Sequence, residues 1–207
     1  YGLESRMTRL EQQRPPTVTP PLLNSSSEAE IQFLRSQIDS LRARPRNIAL
    51  ITYGEENAGT VGNTLLTQLK AAGHDVTLFR LWPASGPASS DSVRVLARKT
   101  PYTLFALSVK VTTAKGTIGL PEPVAKLVDA LGKRPRSAVL SIGSPYVGLQ
   151  APHIRSYLIA WSASSLNEWA AARALAGQAS ITGRLPVSLP PRYQLGHGLI
   201  RMLPGTP

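Results

Sequence analysis

Residues 47–81, NIALITYGEENAGTVGNTLLTQLKAAGHDVTLFRL, contain the pattern that decides the fold. Ile48 to Tyr53 is a short apolar run of the length that makes a buried strand, and Val76 to Leu81 is a second. Between them Val61, Leu65, Leu66 and Leu69 recur at helical spacing, and Gly73 supplies the stop because glycine tolerates the left-handed backbone that closes a helix. One helix between two strands makes a crossover, so the strands run parallel.

The rhythm continues toward the C-terminus. Ser90 is placed to cap a short helix carrying Val93, Val95 and Leu96, and Tyr102 to Val111 reads as a nearly continuous apolar strand at the centre of a sheet. Pro121 and Glu122 open a helix bearing Val124, Leu127, Val128 and Leu131, with Gly132 as its stop. Ser137 to Ile142 and Tyr157 to Trp161 follow as strands. Ser165 and Glu168 have the spacing of a capping box at the start of a helix ending at Gly177, and Pro186 to Leu189 reads as a last short strand. The expected fold is α/β: a three-layer sandwich with a mostly parallel, flavodoxin-like sheet and helices on both faces.

Residues 1–46 read differently, as an N-terminal Pro-rich arm and linker helix ahead of an α/β domain at 47–207. Pro15, Pro16, Pro20 and Pro21 give residues 1–26 the composition of a tether. A helix is expected from Ser27, where Glu30 completes a capping box and Ile31, Leu34, Ile38 and Leu41 share one face, ending before Pro45. In a two-domain enzyme such a helix would connect a barrel to the sheet. The chain starts at Tyr1 without methionine, which suggests a processed or excised piece; a periplasmic or extracellular location is favoured if an export signal was removed.

Composition excludes several classes of function. There is no cysteine, which removes disulfides, zinc-thiolate sites and thiol nucleophiles, and no apolar run approaches the roughly 20 residues that span a bilayer. The net charge of +11 raises the possibility of a polyanion partner. Its distribution favours a solvated basic surface: beyond Arg42, Arg44 and Arg46 the positive residues are scattered, without interleaved aromatics, and no specific nucleic-acid partner is expected.

From about Leu104 to Leu199 the chain resembles the C-terminal α/β domain of glycoside hydrolase family 3. Thr103 to Val109 is followed, after a loop, by Leu120, Pro121 and a helix. Val139 to Ile142 runs into Gly143, Ser144, Pro145 and Tyr146, similar to the family's strand ending in a Gly-Ser-Pro turn. The helix holding Ala170, Ala171, Ala172 and Ala174 is similar to the family's small-residue helix. Thr182 to Ser188 (TGRLPVS) matches its Gly-Arg-Leu-Pro-Val segment, and Gly196 to Leu199 (GHGL) resembles the ending of its β-N-acetylglucosaminidase branch.

The resemblance implies retaining hydrolysis by a carboxylate nucleophile on a (β/α)8 barrel, which 207 residues cannot hold as well as this domain. In the glucosidase branch the acid/base glutamate comes from the loop after the strand ending at Val109. Here that loop, Val111 to Thr117 (VTTAKGT), has no carboxylate, and none follows until Glu122. The N-acetylglucosaminidase branch takes its acid from a His-Asp pair on the barrel, which agrees with that gap; a degenerate, non-catalytic domain would leave the same gap.

Other chemistry finds little support in the residues themselves. His74, His153 and His197 lie far apart, without metal-ligand spacing, and each is read first as structural or surface. Glu55 and Glu56 follow the first strand, at the edge where open sheets bind ligands, and a solvated loop is preferred there. Gly54, Gly59 and Gly62 fit neither a dinucleotide fingerprint nor a phosphate loop, and Ser144 lacks the nucleophile elbow. Trp161 and Trp169 read as packing residues, leaving Trp82 as the free tryptophan.

The reading is therefore an accessory domain that supports, and partly lines, the active site of a family 3 β-N-acetylglucosaminidase-like enzyme acting on terminal β-linked N-acetylglucosamine. Its partner would be the barrel and, through it, the glycan. No catalytic residue, metal or cofactor is assigned to this chain. Lys110, Gly143, Ser144, Pro145, Tyr146 and His197 are the candidates to line the substrate or the interface, the first five because they fall at the carboxyl ends of central strands. The alternative is a stand-alone binding or scaffolding domain that has lost the barrel.

Overall fold

A computed structural model describes residues 45–55, 59–109 and 119–203. The Pro-rich arm, the helix expected from Ser27, Glu56, Lys110 and the loop Val111 to Thr117 lie outside these residues. Five strands, β1 (Asn47–Gly54), β2 (Asp75–Leu81), β3 (Tyr102–Ser108), β4 (Ser137–Ile142) and β5 (Tyr157–Ala160), form one sheet in the order β2-β1-β3-β4-β5. Every pairing is parallel. Among the described residues four helices alternate with the strands: α1 (Asn63–Ala71), α2 (Pro87–Lys99), α3 (Glu122–Gly132) and α4 (Ser165–Leu175), with a 3-10 helix at Pro145–Gln150.

Alternation along each strand sorts the core into two layers. Ala49, Ile51 and Tyr53 of β1, with Phe105, Leu107 and Val139, pack on Val93 of α2 and on Val124, Leu127 and Val128 of α3. Ile48 and Leu50, with Leu104, Ala106, Leu140 and Ile142, pack on Leu65 and Leu69 of α1 and on Ala171 and Ala172 of α4. The sheet is therefore buried on both faces, which is why its central strands read as unbroken apolar runs. The small residues of α4 let that helix lie close on β4 and against α1.

Four local expectations are corrected. Helix α2 starts at Pro87 with Gly86 as N-cap, so Ser90 falls inside the first turn; the preset backbone of Pro87 fixes the start earlier. Ser165 and Glu168 form no capping box: Ser164 is the N-cap of α4, its Oγ accepting from Asn167 N at 3.3 Å, and the carboxylate of Glu168 points elsewhere. Strand β3 ends at Ser108, because the Val109 carbonyl leaves the ladder to accept from Ser144 N at 3.3 Å. Pro186 to Leu189 forms no strand. That segment holds only an isolated bridge, Leu189 to Tyr193, since Pro186, Pro190 and Pro191 have no amide to donate.

Candidate functional site

The strand order reverses between β1 and β3, so the carboxyl edge of the sheet is where a crevice opens in folds of this kind. The turn after β4 is built tightly at that edge. Gly143 takes φ +128° and donates to Ala160 O at 2.9 Å, and a Cβ there would stand 2.8 Å from Val109 O. Ser141 Oγ donates to Ser144 O at 2.6 Å. Pro145 then starts the 3-10 helix, and its carbonyl accepts from Tyr157 Oη at 2.8 Å, while Tyr157 Oη in turn accepts from Gly148 N at 3.2 Å. Burial pushes the Tyr157 hydroxyl up to about 12, against the pull of its bonds with Ser141 and Gly148. It acts as a fixed neutral strut.

Within this turn Gly143, Ser144, Pro145 and Tyr146 are consecutive and share one rigid scaffold. Ser144 is buried, with its hydroxyl unpartnered, whereas Tyr146 is 40% exposed and projects from the edge. His197 belongs to a separate feature. It lies exposed on the C-terminal strip, its ring 4.8 Å from that of Tyr193, and its carbonyl accepts from Leu185 N. Among the described residues no hydrogen bond or ring contact joins His197 to the Gly143–Tyr146 turn.

Beside the switch point lies an open hollow of about 930 Å³, lined by Tyr53, Glu55, Pro83, Leu120, Glu122 and Gln150 among others. Burial, reinforced by the charge of Glu55, pushes Tyr53 up to about 12. Glu122 is held below its ordinary value by the hydrogen bond and charge of Lys126, 2.6 Å away on the exposed face of α3. Gln150 clamps the entry to α3: Leu120 N donates to its Oε1 at 2.7 Å, and its Nε2 donates to Leu120 O at 3.1 Å. Among the described residues the hollow offers hydrogen-bonding groups and no paired nucleophile and base. Among the described residues no group of three or more His, Asp or Glu could hold a metal.

The histidines outside this edge do structural work. His153 pairs with Asp129, N to Oδ1 at 2.7 Å and Nδ1 to Oδ2 at 2.8 Å, at the opposite, amino edge where α3 ends. Burial opposes ionisation of Asp129, yet those bonds hold its carboxyl below the ordinary value. His74 is buried. The tryptophan expectation is corrected: Trp82, Trp161 and Trp169 are 46%, 45% and 39% exposed. Arg173 covers the ring of Trp169 at 4.7 Å, so a helical position that reads as core is a surface cation–π pair.

The arrangement matches solved structures over most of its length. A glycoside hydrolase family 3 β-N-acetylglucosaminidase from Paenibacillus sp. FPU-7 aligns with a TM-score of 0.53 at 17% identity, over 84% of this chain and 36% of that one. The fold is that of a region of family 3 glycoside hydrolases. A fungal multi-domain family 3 β-N-acetylglucosaminidase aligns at TM-score 0.56 and 16% identity, over 83% of this chain and 20% of that one. A β-glucosidase from Listeria innocua gives 0.53 and 17%, over 72% and 24% respectively. This chain thus spans between a fifth and about a third of the family 3 proteins it is similar to. No protein-family model and no curated protein matches the sequence.

Proposed function

We propose that the chain is the accessory C-terminal domain of a family 3 β-N-acetylglucosaminidase-like enzyme. Its carboxyl edge supports the barrel and lends one wall to a pocket for terminal β-linked N-acetylglucosamine. The observation that carries this reading is the β2-β1-β3-β4-β5 parallel sheet, aligned over 84% of this chain with 36% of a β-N-acetylglucosaminidase. The carboxylate-free sequence Val111 to Thr117 supports a non-catalytic part, since the acid would then come from the barrel. Gly143 to Tyr146 suit a wall because the turn is rigid and Tyr146 stands out from it. Lys110, which follows β3 in sequence, and His197 are proposed as further lining groups.

The test is turnover of a chromogenic N-acetyl-β-glucosaminide by the (β/α)8 barrel of a family 3 β-N-acetylglucosaminidase, with and without this chain. The chain alone should be inactive, and adding it should raise turnover by the barrel. Unchanged turnover would favour a stand-alone binding or scaffolding domain.

A further inference from the structure

Helix α1 has no cap of its own. Gly62 holds its N-cap position at φ +81°, offers no side chain, and is followed by no acidic residue in the first turn. A Cβ at Gly62 would lie 2.5 Å from Thr52 Cγ2, so a residue with a capping side chain does not fit. The orphan amides are met from a distant part of the sequence instead. Glu168 of α4 places Oε1 2.8 Å from Gly62 N, and Oε2 3.0 Å from Thr64 N and 3.1 Å from Leu65 N. The glutamate is 4% exposed. From the neighbouring strand Arg80 donates to Val61 O at 2.8 Å and to Asn63 Oδ1, so the same turn is gripped from two sides.

In open parallel sheets the N-terminus of the helix after the first strand is where phosphate-bearing ligands seat, because its amides converge and the helix dipole favours negative charge. In this chain a carboxylate of its own occupies that place. We infer that Glu168 is an internal anion, which fills the α1 terminus, excludes phosphate ligands from that side of the carboxyl edge and fixes the turn Thr60–Gly62. Its charge and its two acceptor oxygens are both needed, since an amide would turn donor hydrogens toward backbone N–H groups. Thr52 packs its methyl group against the same glycine, so the place vacated by a truncated Glu168 is lined by the amides of Gly62, Thr64 and Leu65. The inference does not rest on an accessory role beside a barrel.

The experiment uses the full chain as wild type, E168A and E168Q. Urea unfolding is compared in sodium formate and sodium chloride at equal ionic strength, with amide NMR of Gly62, Thr64 and Leu65. Both variants should lose at least about tenfold in the folding equilibrium constant, the scale of one lost hydrogen bond to a charged group. Formate should restore E168A, leave wild type and E168Q unchanged, and shift those three amides in E168A alone. If E168A is unfolded in chloride, recovery of helical circular dichroism in formate reads the same binding. E168Q as stable as wild type, no response of E168A to formate, or inorganic phosphate perturbing those amides in wild type would overturn the inference.

Discussion

Gly143 and Pro145 show what a single residue can disclose from sequence: one permits a backbone angle that other residues resist, and the other, with no amide to donate, suits the first position of the short 3-10 helix that follows β4. The burial of Ser144 was not legible, because the turn that holds it is tied to distant residues: Ser144 N donates to Val109 O, and Tyr157 Oη, from a different strand, donates to Pro145 O. Substituting G143A combines an unfavourable φ with a collision on Val109 O, and should cost about 2 kcal/mol or more, seen as a lower urea midpoint. His74 yields a pH prediction. Burial, and secondarily the charge of Arg46, lowers its pKa from 6.5, so the folded chain binds a proton less readily than the unfolded one. Stability is full above about pH 6.5 and falls as pH drops from there toward the lowered folded value. Unfolding midpoints measured from pH 7 to 5 should therefore fall less steeply for H74Q than for wild type.

Whole elements were read well where burial on two faces leaves an apolar run, as in β1, β3 and β4, and less well where competing caps decide a boundary. Pro87 displaced Ser90, Ser164 displaced Ser165, and Glu168 was drawn to another helix by amides more than a hundred residues away in sequence. No local pattern encodes such a partner. The 3-10 helix after β4 depends on Tyr157, which bonds both Pro145 O and Gly148 N. The substitution Y157F removes both bonds from a part-buried position and should cost about 1–3 kcal/mol. It should also raise amide exchange at Gly148 while leaving α1 unaffected, which hydrogen exchange followed by NMR would resolve.

At the scale of the molecule the three-layer architecture was legible because each crossover leaves its own periodicity, whereas the site was legible only as an edge. Which groups meet there depends on loop paths, and the C-terminal strip illustrates the difficulty: Gly196 and Gly198 mark a turn around His197, but the bonds it makes, Leu185 to His197 and Gly196 to Leu185, are visible only once folded. The net charge of +11 is a property of the whole surface, so retention on duplex DNA should be independent of sequence and fall by about tenfold or more between 50 and 200 mM salt in filter binding. The proposed role sets the carboxyl edge of the sheet, and not its amino edge, against a barrel. Hydrogen exchange of the full chain, with and without a family 3 barrel, addresses it most directly. The account predicts slowed exchange at Gly143–Tyr146 and Gly119–Glu122, with the amino edge around Asp129 and His153 unchanged; protection confined to that amino edge would contradict it.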